Sequence, residues 1–286
     1  MIRFFFPQSL ICLLVVSCSV QDFDIQNASS KHVFHAYFES YSEPDTKVYV
    51  NEKVKLLWDE KDQISLFNKT YLNQLYQLTA VTEGNACEFE EVPTGSFATG
   101  GNYEFICAVY PYQSTAKIGN NDVLTLFFPA EQKYRESSFG PGANTMVSVT
   151  KEDPLVFKNA GGYLVLKFYG KDVSVSSITL EGRNGEFLSG NATWKPAVGA
   201  IPEFTFVESK AESSITLICD NPVSLGTSKE TATVFWMVVP PTPFEKGFKL
   251  TVTSADGKTF IKETDKNLSI LRNTLFRIAP IEVKFN

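Results

Sequence analysis

After residue 45 the chain alternates apolar and polar positions in short runs, each closed by Gly, Asn, Asp or Pro. Residues 75–81 and 87–92 are two such runs around Glu83, Gly84 and Asn85, which is a hairpin signal. Residues 54–58 and 63–67 flank a charged tip, Asp59-Glu60-Lys61-Asp62. Residues 103–110 form an aromatic-rich run introduced by Gly100-Gly101-Asn102, and 123–128 form another, stopped by Pro129. A period of two predicts strands whose alternate side chains face a core. Residues 71–77 admit one helical turn, but the alternation continuing through Val81 favours strand.

Residues 130–153 break the pattern. Gly140-Pro141-Gly142-Ala143-Asn144 lies among polar residues and reads as a long loop or linker. Asp153-Pro154 marks a restart in extended geometry, because proline biases the residue before it away from the helical region. Strand-like runs resume at 155–157 and 163–169 around Asn159-Ala160-Gly161-Gly162, and at 175–181 and 187–188 around the turn signal Asn184-Gly185. Further runs lie at 215–219, 234–239 and 248–254. Asp256-Gly257-Lys258 turns the last of these into 259–264, the clearest hairpin in the chain. Short strands with regular turns predict an all-β protein of sandwich type. The linker near residue 150 predicts two sandwiches of about seven strands each.

Residues 1–18 carry one early positive charge, Arg3, then an apolar run from Leu10 to Val16, then Ser17 and Cys18. The run is too short to span a bilayer and fits the core of a secretory signal. Val15-Val16-Ser17-Cys18 matches a bacterial lipobox, which predicts that Cys18 becomes a lipidated N-terminus and anchors the protein through buried methylenes. The alternative is an ordinary signal cut near a cysteine. The predicted organisation is therefore a signal at 1–17, a tether at 18–45, and β domains at 46–152 and 153–286. Asp22 and Asp24 place acid close to the anchor, which reads as a soluble linker or, by its resemblance to the acidic tethers of other bacterial surface lipoproteins, as a surface-export signal.

A hydrophobic content of 43% with 20% charged residues indicates a globular chain able to bury real cores. The net charge is −6 and no Lys/Arg run is long enough to grip phosphates, so a nucleic-acid partner is not expected. Of five cysteines, Cys12 is expected to leave with the signal and Cys18 is the expected lipid site. Cys87 and Cys107 sit on core-facing positions of strands that could be neighbours, so a disulfide in an oxidising periplasm and buried free thiols are both open. Cys219 completes the set. Asn-x-Ser/Thr sites at Asn27, Asn68, Asn191 and Asn267 read as chance beside a lipobox.

Catalytic signals are sparse. The two histidines, His32 and His35, are spaced for weak metal binding but have no Cys or acidic cluster beside them, so no metal or cofactor is expected. No nucleophile elbow or phosphate-binding lysine loop is present. The acidic group Asp59, Glu60 and Asp62 reads as a solvated tip in preference to a cation site. Trp58, Trp194 and Trp236 lie in strand-like contexts, where core packing is the default. Trp194, beside Lys195-Pro196, is the one expected to be exposed, and so a possible ligand contact.

Several segments resemble the fimbrillin family, the type V pilin and Mfa-like lipoproteins of Gram-negative anaerobes. They are the lipobox ending at Cys18, the run from Leu57-Trp58 to Leu66-Phe67, and Tyr103 through Tyr110-Pro111-Tyr112. Phe128-Pro129-Ala130-Glu131-Gln132 through Ser138-Phe139-Gly140 and Ala143-Asn144-Thr145-Met146-Val147 follow. The second half adds Val156-Phe157-Lys158-Asn159-Ala160-Gly161-Gly162 and Leu271-Arg272-Asn273-Thr274-Leu275-Phe276. The resemblance implies two tandem transthyretin-like Greek-key β-sandwich domains and export as an outer-membrane lipoprotein at the cell surface or in a fimbrium. It also implies other fimbrial subunits as partners, joined by strand exchange: a protease removes an N-terminal strand, and the next subunit's C-terminal strand fills the groove.

The chain departs from the stalk pattern in having no Arg between Arg3 and Arg135, where an activating cut usually follows an Arg; Lys31, Lys47, Lys53 and Lys55 are available instead. Ile281, Val283 and Phe285 share one face of the closing segment and are the candidate exchange residues. Pro280 confines that segment to an edge or bulge. An ordinary final strand there would suit a tip, anchor or accessory subunit. The expected role is non-enzymatic, a fimbrial or accessory subunit contributing to adhesion. The alternative is a monomeric surface lipoprotein binding a glycan or host ligand.

Overall fold

The computed structural model describes residues 32–39, 56–82, 85–93 and 103–285. The expected signal, Cys18, most of the tether, and the turns at 83–84 and 100–102 lie outside them. Up to residue 150 the strands are β1 (Val33–Phe38), β2 (Gln63–Phe67), β3 (Leu72–Val81), β4 (Cys87–Glu91), β5 (Ile106–Tyr110), β6 (Lys117–Ile118), β7 (Leu124–Phe128), β8 (Glu131–Arg135), β9 (Ser138–Phe139) and β10 (Met146–Thr150). Next come β11 (Leu155–Asn159), β12 (Gly162–Tyr169), β13 (Ser174–Gly182), β14 (Ser189–Trp194), β15 (Thr205–Glu212), β16 (Ser214–Ser224) and β17 (Thr233–Val239). The last are β18 (Thr242–Phe244), β19 (Phe248–Ser254), β20 (Thr259–Glu263), β21 (Leu268–Ile270), β22 (Leu275–Arg277) and β23 (Ile281–Glu282). A three-residue 3-10 turn at Asn120–Asp122 is the one helical element among the described residues.

Seven strands close a barrel in the order β1-β11-β10-β5-β2-β3-β4. Alternation decides what fills it: Phe34, Ala36 and Phe38 of β1 point inward with Ile64, Leu66, Tyr76, Phe89, Leu155 and Phe157. Trp58 joins them from an irregular segment. The opposite face of the barrel wall is buried too. Phe67, Cys107, Val109 and Val147 pack against Leu124, Leu126 and Phe128 of β7 and Ala192 and Trp194 of β14. The sheet β15-β14-β7-β6 therefore draws strands from both sides of residue 152.

The second large core lies between β12–β17 and the sheet β20-β19-β13-β16-β8-β9. Leu164, Leu166, Phe168, Phe235, Met237 and Val239 meet Val175, Ile178, Leu180, Ile215, Leu217, Leu250 and Val252. The outer face of β12 and β17 is covered as well, with Tyr163, Val165, Trp236 and Val238 against Ala143. Burial on both faces explains why β12 reads as a nearly continuous apolar run and not as an alternating one.

Four sequence expectations need correction. Residues 56–58 form no strand; Trp58 is held by its ring, stacked on Phe38 at 4.1 Å, and by its indole N–H donating to Asn85 O at 2.8 Å. Residues 130–153 are no linker, since they contain β8, β9 and β10. Polar composition hid β8: buried Gln132 uses its amide as a surrogate backbone, donating to Val238 O at 2.6 Å and accepting from Val238 N at 2.9 Å. Asn184-Gly185 does turn the chain, with Gly185 at φ 76, but residues 187–188 form no strand; β14 begins at Ser189 and pairs with β7 and β15. The strands of Cys87 and Cys107 are not neighbours. Cys87 faces the barrel interior and Cys107 the outside of its wall, and both thiols are free.

Candidate functional site

β1 precedes, and β22–β23 follow, all other described strands, and both groups pair in parallel with the consecutive strands β11 and β12. Ala36, Tyr37 and Phe38 lie opposite Leu155, Val156 and Phe157, while β4 flanks β1 antiparallel on its other side. Tyr163, Leu164 and Val165 lie opposite Leu275, Phe276 and Arg277, and Phe168 and Tyr169 lie opposite Ile281 and Glu282. Pro280 falls in the break between β22 and β23, where no ladder donor is required of it.

Side chains of the closing segment alternate as the sequence predicts. Val283 is 1% exposed, Glu282 and Lys284 point to solvent, and Ile281 and Phe285 pack half-buried on the same core as Val283. Burying Val283 alone contributes about 1.5–3 kcal/mol. Two glycines bracket β12 and let this segment in. A Cβ on Gly162 would collide with the carbonyl of Leu271, and one on Gly170 would come within 2.6 Å of Val283 O. Beside the two ladders, further backbone bonds tie the segment down. Tyr163 N donates to Thr274 O at 2.9 Å, Ile278 N to Val165 O at 3.1 Å, and Val283 N to Tyr169 O at 2.8 Å.

The two terminal groups meet at a buried polar cluster centred on Asn159, the last residue of β11. Its backbone N–H donates to Glu39 Oε1 at 2.7 Å, and its carbonyl accepts from Arg272 Nη1 at 3.1 Å. Its side-chain amide donates to Asn273 Oδ1 at 2.8 Å and accepts from Asn144 Nδ2 at 2.8 Å and Tyr163 Oη at 2.9 Å. Arg272 Nη1 also donates to Glu39 Oε1, closing an ion pair. Asn273 takes φ 56, which asparagine tolerates better than most residues, and its N–H donates to Gly161 O at 2.8 Å. Glu39 directly follows β1, and Arg272 and Asn273 directly precede the β22 segment. Sequence reasoning missed this cluster as a unit, although Asn144, Asn159, Arg272 and Asn273 all lie in segments that carry the family resemblance.

β1 has a second grip on its outer side. His35 N donates to Asp153 Oδ1 at 2.8 Å, and His35 Nδ1 lies 2.6 Å from Asp153 Oδ2. Its Nε2 lies 3.8 Å from Glu88. The bond to Asp153, with that carboxylate's charge, holds His35 above its usual 6.5. His32 instead packs its ring 4.7 Å from Phe34. Among the described residues, no group of three or more His, Cys, Asp and Glu is placed to hold a metal ion.

The remaining sequence candidates fall elsewhere. Trp194 is not exposed as expected: it is 9% accessible, its ring lies 5.6 Å from that of Phe204, and it lines a cavity of about 250 Å³ with Val147, Val149 and Val156. The cover comes from residues 199–206, which the polar pair Lys195-Pro196 does not announce. Lys158, at the same cavity, is committed to Gly199 O at 2.8 Å and Ala200 O at 2.9 Å. The acidic tip is no free cation site either. Asp62 turns inward, accepts from Tyr110 Oη at 2.8 Å, and is raised above the ordinary carboxylate value by burial.

No family model matches this sequence, and no curated protein does. Among solved structures, one ascribed to cell adhesion from Bacteroides uniformis ATCC 8492 matches with TM-score 0.48 and 16% identity, covering 88% of this chain and 94% of that one. Another ascribed to cell adhesion, from Bacteroides ovatus ATCC 8483, matches with TM-score 0.45 and 14% identity, covering 88% and 93%. The C-terminally truncated tip fimbrial protein Mfa3 of Porphyromonas gingivalis matches with TM-score 0.29 and 10% identity, covering 78% and 90%. These names are of the kind that the fimbrillin resemblance leads one to expect. All three scores lie below 0.5, so what the protein does has to be read from its own residues.

Proposed function

We propose that this protein is a fimbrial subunit, or an accessory, tip or anchor subunit, that joins other subunits at the cell surface by exchanging a strand. One observation carries the reading: each main core is completed by a short strand group from one end of the described chain, with alternate apolar side chains. β1 supplies Phe34, Ala36 and Phe38 to the barrel, and the closing segment supplies Ile281, Val283 and Phe285 to the second core. Loss of β1 would leave β4 and β11 with unpaired edges over an apolar groove. A strand with the alternation of Ile281, Val283 and Phe285 satisfies both needs at once. The polar cluster at Asn159 fits a holding role, because its members are amides, a phenol, a guanidinium and a carboxylate arranged to satisfy one another.

Cys18 belongs to the same proposal as the lipid attachment that tethers the subunit to the outer membrane. If the closing segment stays in its own subunit, the protein sits at a tip or base instead of in a stalk. A monomeric ligand-binding role has less to support it, since Trp194 is covered.

The test is a denaturing gel of the native surface protein, unheated against heated, with N-terminal sequencing of the bands. A ladder that collapses on heating, with a new N-terminus beyond β1, is expected of a stalk subunit. A single band beginning at lipidated Cys18 is expected of an anchored terminal subunit or of a monomeric binding lipoprotein, and the search would move to its ligand. A single unlipidated, uncut band that never joins a multimer would overturn the reading.

A further inference from the structure

We infer that the Glu39–Arg272 pair is a latch that makes release of the closing segment conditional on displacement of β1. The inference rests on the strand-exchange reading and adds its regulation: the donor segment stays home until the N-terminal strand has gone.

The geometry is specific. Glu39 leaves β1 and enters a pocket where its Oε1 receives both Arg272 Nη1 and the Asn159 backbone N–H. The pair is largely shielded, with side-chain exposures of 18% for Arg272 and 16% for Glu39, so water and salt weaken it less than the exposed pairs elsewhere on the surface. When β1 departs it takes Glu39 with it. Arg272 is then left as a half-buried cation without its carboxylate, and the Asn159 N–H loses its acceptor. Leaving a charge and a donor unsatisfied costs more than the bond between them was worth. The cheapest way to resolve that penalty is for Arg272 to move out to solvent. It cannot move alone, because Asn273, held at positive φ on Gly161 O and on the Asn159 amide, is the next residue, and β22 starts two positions later. The segment beyond pairs with β12 at three positions of β22 and two of β23, with Pro280 in the break between them.

Coupling of this kind is reciprocal. Release of the closing segment removes Arg272 from Glu39, so it loosens β1 in turn. Both grooves then open together, one to accept a strand and one having given it up.

Hydrogen exchange read by mass spectrometry on the full chain tests the latch. Glu39→Ala is expected to speed exchange of the amides in residues 276–285 by about tenfold or more, with β13 and β19 unchanged. Arg272→Ala is expected to speed exchange in β1. The double variant is expected to be no worse than either single one, because the interaction is already lost. Glu39→Gln, which keeps the acceptor and drops the charge, serves if the alanine variant fails to fold, with a smaller effect in the same peptide. Unchanged exchange at 276–285 in the glutamate variants overturns the latch, as does a rise shared equally by β13 and β19. The readout needs no polymer. A missing gel ladder with coupled exchange would refute strand exchange alone, and a ladder with uncoupled exchange would refute the latch alone.

Discussion

The carbonyl of Leu271 occupies the place where a side chain on Gly162 would begin. The close approach is what lets the closing segment lie against β12, so Gly162→Ala is expected to push that segment outward. The expected cost is about 1–3 kcal/mol, read by denaturant unfolding, with faster amide exchange between residues 275 and 283. Gly119→Ala is the control, since the nearest atom to its Cβ is 4.0 Å away. That variant should stay within about 0.5 kcal/mol of the parent. Equal effects at the two sites would mean that the approach at Gly162 has slack.

Val283 and Ile261 offer a second comparison. Val283 is 1% exposed on the closing segment, and Ile261 is 56% exposed on the edge strand β20. Val283→Ala is expected to destabilise by about 1–3 kcal/mol through lost burial and the cavity left behind. Ile261→Ala is expected to be near neutral. Chemical denaturation of the two variants decides the matter; a neutral Val283→Ala would show that the segment contributes little to its own core.

The grip of Asp153 on His35 has a definite pH signature. The folded state raises His35 above 6.5, first through the hydrogen bond to Asp153 and then through that residue's charge, so folding favours the protonated ring. The stabilisation is therefore complete below pH 6.5 and is lost as pH rises through the elevated folded value. Asp153→Asn is expected to bring the His35 titration midpoint back toward 6.5, followed by NMR of the imidazole protons. A midpoint that ignores the substitution would remove Asp153 as the cause.

The thiols should be silent while the protein is folded. Burial pushes Cys107 up to about 12; burial, then the nearby Asp220 charge, push Cys219 up to about 11. Cys87 is pushed up by burial as well, with smaller contributions from Asp62 and Glu88. Little thiolate is present at pH 8, and alkylation mapped by peptide should reach these three positions only after denaturation. Rapid native labelling of Cys107 would show that the wall between the barrel and β7 opens.

Much of the fold was legible because strands write a period of two into the sequence. Ile281, Val283 and Phe285 announced a shared face, and Asp256-Gly257-Lys258 announced the hairpin of β19 and β20, with Gly257 at φ 82. The failures share a physical cause. Gln132 and Asn159 are polar, yet both are buried with hydrogen bonds to the oxygen and to the nitrogen of their amides, and polarity without periodicity looks like loop. Their partners Val238 and Asn273 lie more than a hundred positions away, beyond the reach of any local pattern. Trp194 was misjudged for the same reason, since its cover arrives from Phe204 and not from its neighbours on the strand. The segments carrying the family resemblance did contain Asn144, Asn159 and Arg272, but only the fold shows that they converge.

The parallel pairing of β1 with β11, and of β12 with β22 and β23, also sets a timetable. A strand made early has to wait for a neighbour that leaves the ribosome much later, and until then each core has an open, apolar side. Local hairpins such as β19–β20 can close as soon as they are made, whereas these two seams cannot. The nascent chain therefore keeps two vacant berths until residues 155–159 and 275–283 have been made.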